Sequence, residues 1–133
     1  MSEIEAGTRI PSLELAPISR HTLALYAGAS GDHNPIHIDS DFARAAGMPD
    51  VFAHGMLSMA YLGRMLTRWQ PQARLRKFGT RFTAITQVHD VVTCSGQVVE
   101  IFEEGGETLA RCAIQAATSD GTQTLVGEAL VAL

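Results

Sequence analysis

The sequence predicts an α+β fold in which a curved antiparallel sheet wraps one long central helix. From Gly55 to about Trp69, the first two turns of a helical pattern carry no polar face, which is typical of a buried helix. After Pro71 come runs of about twelve residues separated by tight turns, which favours long antiparallel strands. Strands of this length must curve, and a helix in the concave face supplies the core.

The segment before the central helix reads as an edge strand and two helices. Residues 9–18 hold two prolines among alternating apolar residues, as edge strands do. Ser19 is a suitable N-cap for a first helix, which we expect Gly28 and Gly31 to end. A second, short helix is expected over residues 40–46. Its signals are Asp39 as the cap, with Gly47 and Pro49 as the stop.

Strand patterns fill the rest of the chain. We expect strands over residues 77–88, 91–102, 107–118 and 122–133. The turn of residues 103–106, Glu-Glu-Gly-Gly, makes a hairpin, and Asp120-Gly121 makes the next. Two such sheets joined edge to edge would cover their edges in a dimer.

Composition limits the class of protein. The 133 residues predict one domain, and 46% hydrophobic against 18% charged residues favours an oligomer. A net charge of −4 without a basic cluster argues against nucleic-acid binding. The acidic start has no apolar signal sequence and no run of about 18 apolar residues exists, so we expect a cytoplasmic protein without a membrane span. Cys94 and Cys112 are expected to be reduced core residues.

A polar turn is the first candidate for chemistry. Asp32 and His37 lie on either side of Asn34-Pro35, and the proline stiffens the turn. A carboxylate and an imidazole that share one water make a general acid/base pair. The alternative is that Asp32 and Asn34 only cap the turn and His37 is a core histidine.

His54-Gly55 is the second candidate, because it begins the central helix. The first N–H groups of a helix are unpaired, and glycine lets a ligand approach the backbone. Such a donor stabilises a thioester oxygen that becomes an enolate. The alternative is that Gly55 only permits close packing.

Metal and nucleophile chemistry have weaker support. Asp32, His33, His37, Asp39 and His54 match no standard ligand spacing, so we expect no metal. The two cysteines fall within strand patterns with no base nearby in sequence, so neither is expected to be a nucleophile.

Taken together, YAGASGDHNPIHID and AHGML closely resemble the MaoC-like, (R)-specific enoyl-CoA hydratase family of hotdog-fold proteins. The family's G-D-x-N-P-apolar-H signature is matched by Gly31, Asp32, Asn34, Pro35, Ile36 and His37. Its HGM helix start is matched by His54, Gly55 and Met56, and the RFTA strand at residues 81–84 extends the likeness.

The resemblance implies a reaction. Family members add water reversibly to trans-2-enoyl thioesters of coenzyme A or acyl carrier protein and give (R)-3-hydroxyacyl thioesters. Asp32 and His37 would hold the catalytic water, and the Gly55 N–H would bind the thioester oxygen. Asn34, which orients the turn, His54 and Met56 would contribute to substrate binding. The family needs no metal or redox cofactor and forms homodimers, or heterodimers with another hotdog chain.

One position departs from part of the family. Some members place a serine two turns into the central helix, where it supports the aspartate, and Gly63 stands there by ungapped register. The bacterial fatty-acid dehydratases, which this sequence also resembles, carry glycine. Ser58 or Tyr61 is a candidate substitute.

Two other functions remain open. A hotdog thioesterase would release free coenzyme A, but that class does not need the paired Asp32 and His37. An acyl-binding subunit of a heteromeric dehydratase would bind without turnover, and it would need neither group. Three basic residues either meet a coenzyme A phosphate or form a solvated strand face, namely Arg76, Lys77 and Arg81.

Overall fold

The computed structural model describes residues 3–133, and it has the predicted α+β architecture. The first two residues of the acidic N-terminal segment lie outside this range. The elements are β1 Arg9–Glu14, α1 Arg20–Ser30, α2 Ser40–Ala45, α3 Gly55–Trp69, β2 Leu75–Phe82, β3 Val92–Glu104, β4 Glu107–Thr118 and β5 Gln123–Ala132. Between residues 3 and 133, no helix is both long and apolar enough to cross a membrane.

One antiparallel sheet of five strands carries the fold, in the order β1-β3-β4-β5-β2. The predicted hairpin between β3 and β4 is confirmed. Its turn uses Gly105 and Gly106 at φ of +58° and +79°, where side chains other than glycine are strained. β1 and β2 form the two edges, which agrees with the prediction of an edge strand at residues 9–18, although β1 ends at Glu14.

The predicted central helix is confirmed at both ends, and it packs against four strands. Its buried residues are Leu57, Ser58, Tyr61, Leu62, Met65 and Leu66. The prediction that it is buried all round is wrong for this chain alone, since Met56 is 55% exposed and Ala60 and Arg64 are also exposed. The reason is geometric: one curved sheet covers only one side of a helix.

The strand predicted over residues 77–88 is too long at its C-terminal end. β2 ends at Phe82, and the chain then leaves the sheet edge and turns towards the start of α3. There the Ala53 N–H donates to the Thr86 carbonyl at 2.9 Å, and Phe52 forms an isolated bridge with Gln87. The alternating pattern of the sequence therefore extends beyond the strand, through a bend at Ala84 and into a turn at Val88 and His89.

The prediction that Gly28 ends the first helix is also wrong. α1 continues to Ser30, and only Gly31, at φ +78°, ends it. A glycine within a helix costs about 0.5–1 kcal/mol, which does not stop a helix that buries other side chains. Leu23 and Ala27 supply that burial.

Gly127 in β5 is required by the close approach of β2, which gives a prediction about stability. A Cβ at this position would lie 2.0 Å from the Gly79 carbonyl oxygen and 2.7 Å from the Thr80 Cα. We expect Gly127→Ala to lower the free energy of unfolding by about 1–3 kcal/mol or more, because the backbone must shift. Urea unfolding measures this, and Gly79→Ala, with nothing within 4 Å of its new Cβ, is the matched control. Equal stability of the two variants would contradict the account.

Candidate active site

The polar turn after α1 is held by its own side chains. The Asp32 N–H donates to the Ser30 hydroxyl at 3.2 Å, and the Asn34 N–H donates to the Asp32 carboxylate at 3.2 Å. The Asn34 side-chain oxygen in turn accepts from the Ile36 N–H at 3.1 Å and caps the 3₁₀ turn Pro35–His37. This network fixes the direction of the Asp32 carboxylate and delivers His37 next to it.

His37 has a defined tautomer. Its Nδ1 lies 2.7 Å from the Phe52 carbonyl oxygen, which can only accept, so Nδ1 carries the proton. Nε2 is then the basic nitrogen. The ring is partly buried and also packs edge-on against the Phe52 ring at 5.0 Å between centroids. The carbonyl therefore prepares His37 to accept a proton at Nε2.

His54, the N-cap residue of α3, is 2% exposed. Its Nε2–H donates to the Asp32 backbone carbonyl at 3.2 Å, and its ring stacks on His37 at 3.9 Å between centroids. The Tyr26 ring packs edge-on at 4.8 Å. Burial lowers the pKa of His54 below its ordinary value, and burial together with the Asp32 charge raises the pKa of Tyr26.

These residues meet at one cavity of about 360 Å³. A carboxylate oxygen of Asp32, one nitrogen of His37 and one nitrogen of His54 lie within 4.8 Å of one another. The cavity is lined by Asp32, His37, Phe52, Ala53, His54, Gly55, Met56, Phe82, Ala84, Ile85, Thr86 and Leu125. A few polar groups at the end of an apolar cavity are typical of a site for an apolar ligand with one reactive polar group.

Gly55 places a helix N-terminus in the cavity wall. It is the first residue of α3, and no side chain caps this end, so its N–H has no partner within the helix. A Cβ on Gly55 would lie 2.8 Å from two ring atoms of Phe82. A larger side chain here would therefore clash with the Phe82 ring, and glycine also lets a ligand approach the backbone.

The same cluster offers three potential metal ligands, but its two imidazole rings do not converge on one point. Lone pairs of imidazole lie in the ring plane, and the planes of His37 and His54 differ by only 27° in their stack. Stacked rings direct their lone pairs side by side rather than at one point. Each ring donates one N–H to a carbonyl group, so the remaining lone pairs are those of Nε2 on His37 and Nδ1 on His54. The arrangement favours an acid/base pair over a shared ion.

The structure brings most of the predicted site residues to this cavity. Asp32, His37, His54, Gly55 and Met56 all line it. Asn34 is not among the lining residues and acts within the turn, so its contact with substrate stays a prediction.

Three aromatic residues of the site were not found from the sequence. They are Tyr26, which packs on His54, Phe52, whose carbonyl sets the tautomer of His37, and Phe82, which covers Gly55. A backbone carbonyl leaves no signal in a sequence. Phe82 did leave a signal in the sequence, because it lies on the apolar side of the β2 pattern.

Gly63 faces away from the turn and towards β2. A Cβ there would be 3.4 Å from the Phe78 ring. Ser58, by contrast, lies one helical turn after His54, on the same side of α3, and its buried hydroxyl has no partner within residues 3–133. Tyr61 is buried in the core. Of the two candidate substitutes for the missing serine, Ser58 has the better position.

Neither cysteine has a place in this chemistry. Cys94 and Cys112 are buried, as predicted for core residues, and they form no disulfide with each other. Burial raises the pKa of each thiol to about 11. Of the basic residues on β2, Arg76 pairs with Glu107 and Lys77 pairs with Glu128. Arg81 forms no ion pair within residues 3–133. For Arg76 and Lys77, these ion pairs favour a solvated strand face over contact with a coenzyme A phosphate.

Asp50 anchors the helices that carry the polar turn. Its carboxylate accepts from Arg20 of α1, from the Ser40 hydroxyl of α2 at 2.7 Å and from the Val51 N–H at 2.7 Å. The hydrogen bond from Arg20, followed by those from Ser40 and Val51, holds the pKa of this carboxyl well below its ordinary value.

This pKa shift gives a prediction about pH. A carboxyl whose pKa is lowered by folding stabilises the protein above its unfolded pKa of about 3.9, and the contribution is lost as the pH falls below that value. We expect the free energy of unfolding of the wild type to fall more steeply from about pH 5 to pH 3 than that of Asp50→Asn. Denaturant titrations at each pH measure this, and Asp41→Asn, an exposed residue of α2, is the control. Parallel pH profiles for the wild type and Asp50→Asn would show that Asp50 has no such role.

The fold and this site define a hotdog protein in which a carboxylate and an imidazole lie near a helix N-terminus. The chain belongs to the MaoC-like domain family, whose model matches residues 5–117. The (R)-hydratase from A. caviae involved in PHA biosynthesis superposes with a TM-score of 0.87 at 25% identity, covering 100% of this chain and 99% of that one.

Curated relatives share parts of their sequence with this chain. The (R)-specific enoyl-CoA hydratase of Rhodospirillum rubrum is 34% identical over 89 residues, which are 65% of this chain and 62% of that protein. Fatty acid synthase subunit beta of Saccharomyces cerevisiae is 29% identical over 123 residues, 90% of this chain. The chain spans 6% of that subunit and under two thirds of the hydratase.

Proposed function

We propose that this protein is a hydro-lyase that adds water reversibly to trans-2-enoyl thioesters and gives (R)-3-hydroxyacyl thioesters. The observation that carries the proposal is the contact of His37 with the Phe52 carbonyl, which leaves Nε2 as the basic nitrogen of a ring that has one nitrogen within 4.8 Å of an Asp32 carboxylate oxygen. Membership of the MaoC-like family and the likeness to two (R)-hydratases support the reaction and its stereochemistry.

The proton balance follows from the tautomer. A water held between Asp32 and His37 gives one proton to the basic nitrogen as its oxygen forms the bond to C3. The carbon–carbon double bond moves its electrons to C2 and the thioester carbonyl, and the proton held at Nε2 of His37 is then delivered to C2. One water is consumed, and both side chains end in their starting states.

The developing negative charge lies on the thioester oxygen. The Gly55 N–H stands at the positive end of the α3 dipole and donates to that oxygen. The amide is positioned before the substrate binds, so it does not have to reorganise during the reaction. Gly55 therefore acts in catalysis through its backbone.

The acyl chain enters the apolar part of the cavity. Met56, Phe82 and Ile85 line it and are each about half exposed, which suits a chain that enters from solvent. The relatives include an enoyl-CoA hydratase and a fatty acid synthase subunit, so either coenzyme A or acyl carrier protein fits as the thioester carrier. No cofactor is part of the proposed reaction.

A second hotdog chain completes the proposal. The outer face of α3 is exposed although it carries Met56 and Ala60, and β2 has an unpaired edge. A homodimer or heterodimer would cover both features. The organisation of residues 1–133 as a single MaoC-like hotdog domain, and a cytoplasmic location, stay predictions from the sequence.

An assay with crotonyl-CoA tests the function. We expect loss of enoyl absorbance, formation of (R)-3-hydroxybutyryl-CoA in a chiral product analysis, and no release of free thiol. Free thiol without hydration would identify a thioesterase instead. Binding without either product would identify an acyl-binding subunit, and activity only after addition of a second hotdog chain would identify the catalytic half of a heterodimer.

A further inference from the structure

His54 contacts both members of the proposed acid/base pair, although it is almost completely buried. Its Nε2–H donates to the backbone carbonyl of Asp32 at 3.2 Å, and its ring stacks on His37 at 3.9 Å. Tyr26 closes the remaining side of the ring. A side chain 2% exposed with these contacts has little surface left for a substrate.

We propose that His54 is a positioning residue that holds the Asp32 backbone and the His37 ring in one arrangement while it remains an uncharged Nε2–H tautomer. This inference rests on the proposed hydration, and it differs from the substrate-binding role predicted from the sequence.

The surroundings of His54 favour the uncharged form. Its Nδ1 is buried and has no hydrogen-bond partner within residues 3–133, so a proton there would be a buried donor without an acceptor. The groups that face the ring are Tyr26 from α1, Asp32 from the turn and His37 from the 3₁₀ turn. Burial lowers the pKa of His54 and the His37 charge acts in the same direction, whereas the Asp32 carbonyl and carboxylate oppose them.

The uncharged state has a consequence for the reaction. His37 gains a positive charge when it takes the proton from water. A second charge on the ring stacked against it would make His37 a weaker base. A neutral His54 holds the pair in place without that penalty.

Nitrogen NMR of the histidine rings tests the tautomers in the unmodified protein. We expect His54 to be uncharged at neutral pH with its proton on Nε2, and His37 to carry its proton on Nδ1. His21→Gln, on the exposed side of α1, removes one exposed histidine and assists the assignment. A proton on Nδ1 of His54, or a charged His54 at neutral pH, would overturn the proposal.

His54→Phe separates positioning from binding. Phenylalanine keeps a ring on His37 but loses the donor to the Asp32 carbonyl. We expect kcat for crotonyl-CoA hydration to fall by about 10- to 100-fold, because displacement of a reacting group is costly. We expect KM to stay within about twofold, and His21→Gln to behave as wild type. An unchanged kcat, or a change confined to KM, would overturn the positioning role.

The hydration assay and the ring NMR distinguish a failure of the proposed function from a failure of the proposal for His54. If the wild type hydrates no enoyl thioester, the proposed function is wrong, and the ring NMR still decides the state of His54. If the variant does not fold, as shown by loss of its circular-dichroism spectrum, the wild-type NMR result alone supports or overturns the proposal.

Discussion

Asp32→Asn and His37→Asn are each expected to lower kcat for hydration of crotonyl-CoA by about 10²- to 10⁴-fold, the usual contribution of a general acid or base. An amide in place of either group neither accepts a proton from the water nor returns one during the reaction. The Asp32 carboxylate accepts only the Asn34 N–H among residues 3–133, and the Asn34 cap on Ile36 is untouched, so the turn should keep its shape. Initial rates at saturating substrate measure the loss.

His33→Asn and Asp41→Asn are the matched controls for this pair. Both residues are exposed, and neither lines the cavity. Each should retain wild-type kcat. Activity near that of the wild type in Asp32→Asn or His37→Asn, measured on folded protein, would remove the chemical basis of the account.

The second large effect is expected at Gly55. A methyl group there would lie 2.8 Å from two ring atoms of Phe82, so the ring or the start of α3 must move. Movement of the helix start displaces the amide from the thioester oxygen, and movement of the ring changes the cavity wall beside that amide. We expect Gly55→Ala to lower kcat by about 10²- to 10³-fold, comparable to the loss of one oxyanion donor.

A second substitution identifies the cause of that loss. If the Phe82 ring is responsible, Phe82→Ala in the Gly55→Ala background should recover part of the activity. Gly63→Ala is the control on the same helix, since its new Cβ would be 3.4 Å from Phe78, at the edge of ordinary contact. Wild-type kcat in Gly55→Ala would show that the helix start takes no part in catalysis.

Local chemistry explains why much of the fold could be predicted. The Gly105-Gly106 turn and the caps at Ser19 and Asp39 act within a few residues, and the structure has each where the sequence predicts it. The bounds of α3 also follow from the pattern between His54 and Pro71. These features depend on neighbours in the chain, which a sequence displays directly.

The errors have a common origin in distant contacts. Residues 83–88 alternate like a strand, yet Thr86 and Gln87 pair with the segment before α3 instead of with β5. The exposure of Met56 depends on how far the sheet curves around α3. Neither the pairing partner of residues 86–87 nor the exposure of Met56 is encoded in a short window of sequence.

The same distinction applies to the site. The pairing of Asp32 with His37 follows from a five-residue spacing and a proline, so the sequence predicts it. The proton on Nδ1 of His37 depends on a carbonyl 15 residues away, and the contact of His54 with Asp32 spans 22 residues. Both details arise from contacts that are distant along the chain, and they determine which nitrogen is the base.

A double-mutant cycle tests most directly whether a carboxylate and an imidazole act on one shared water. Groups that work as a unit are strongly non-additive, so the variant with both Asp32→Asn and His37→Asn should lose about as much kcat as the worse single variant. If the two losses in free energy of activation instead add in full, each residue acts at a separate place and the shared water does not exist.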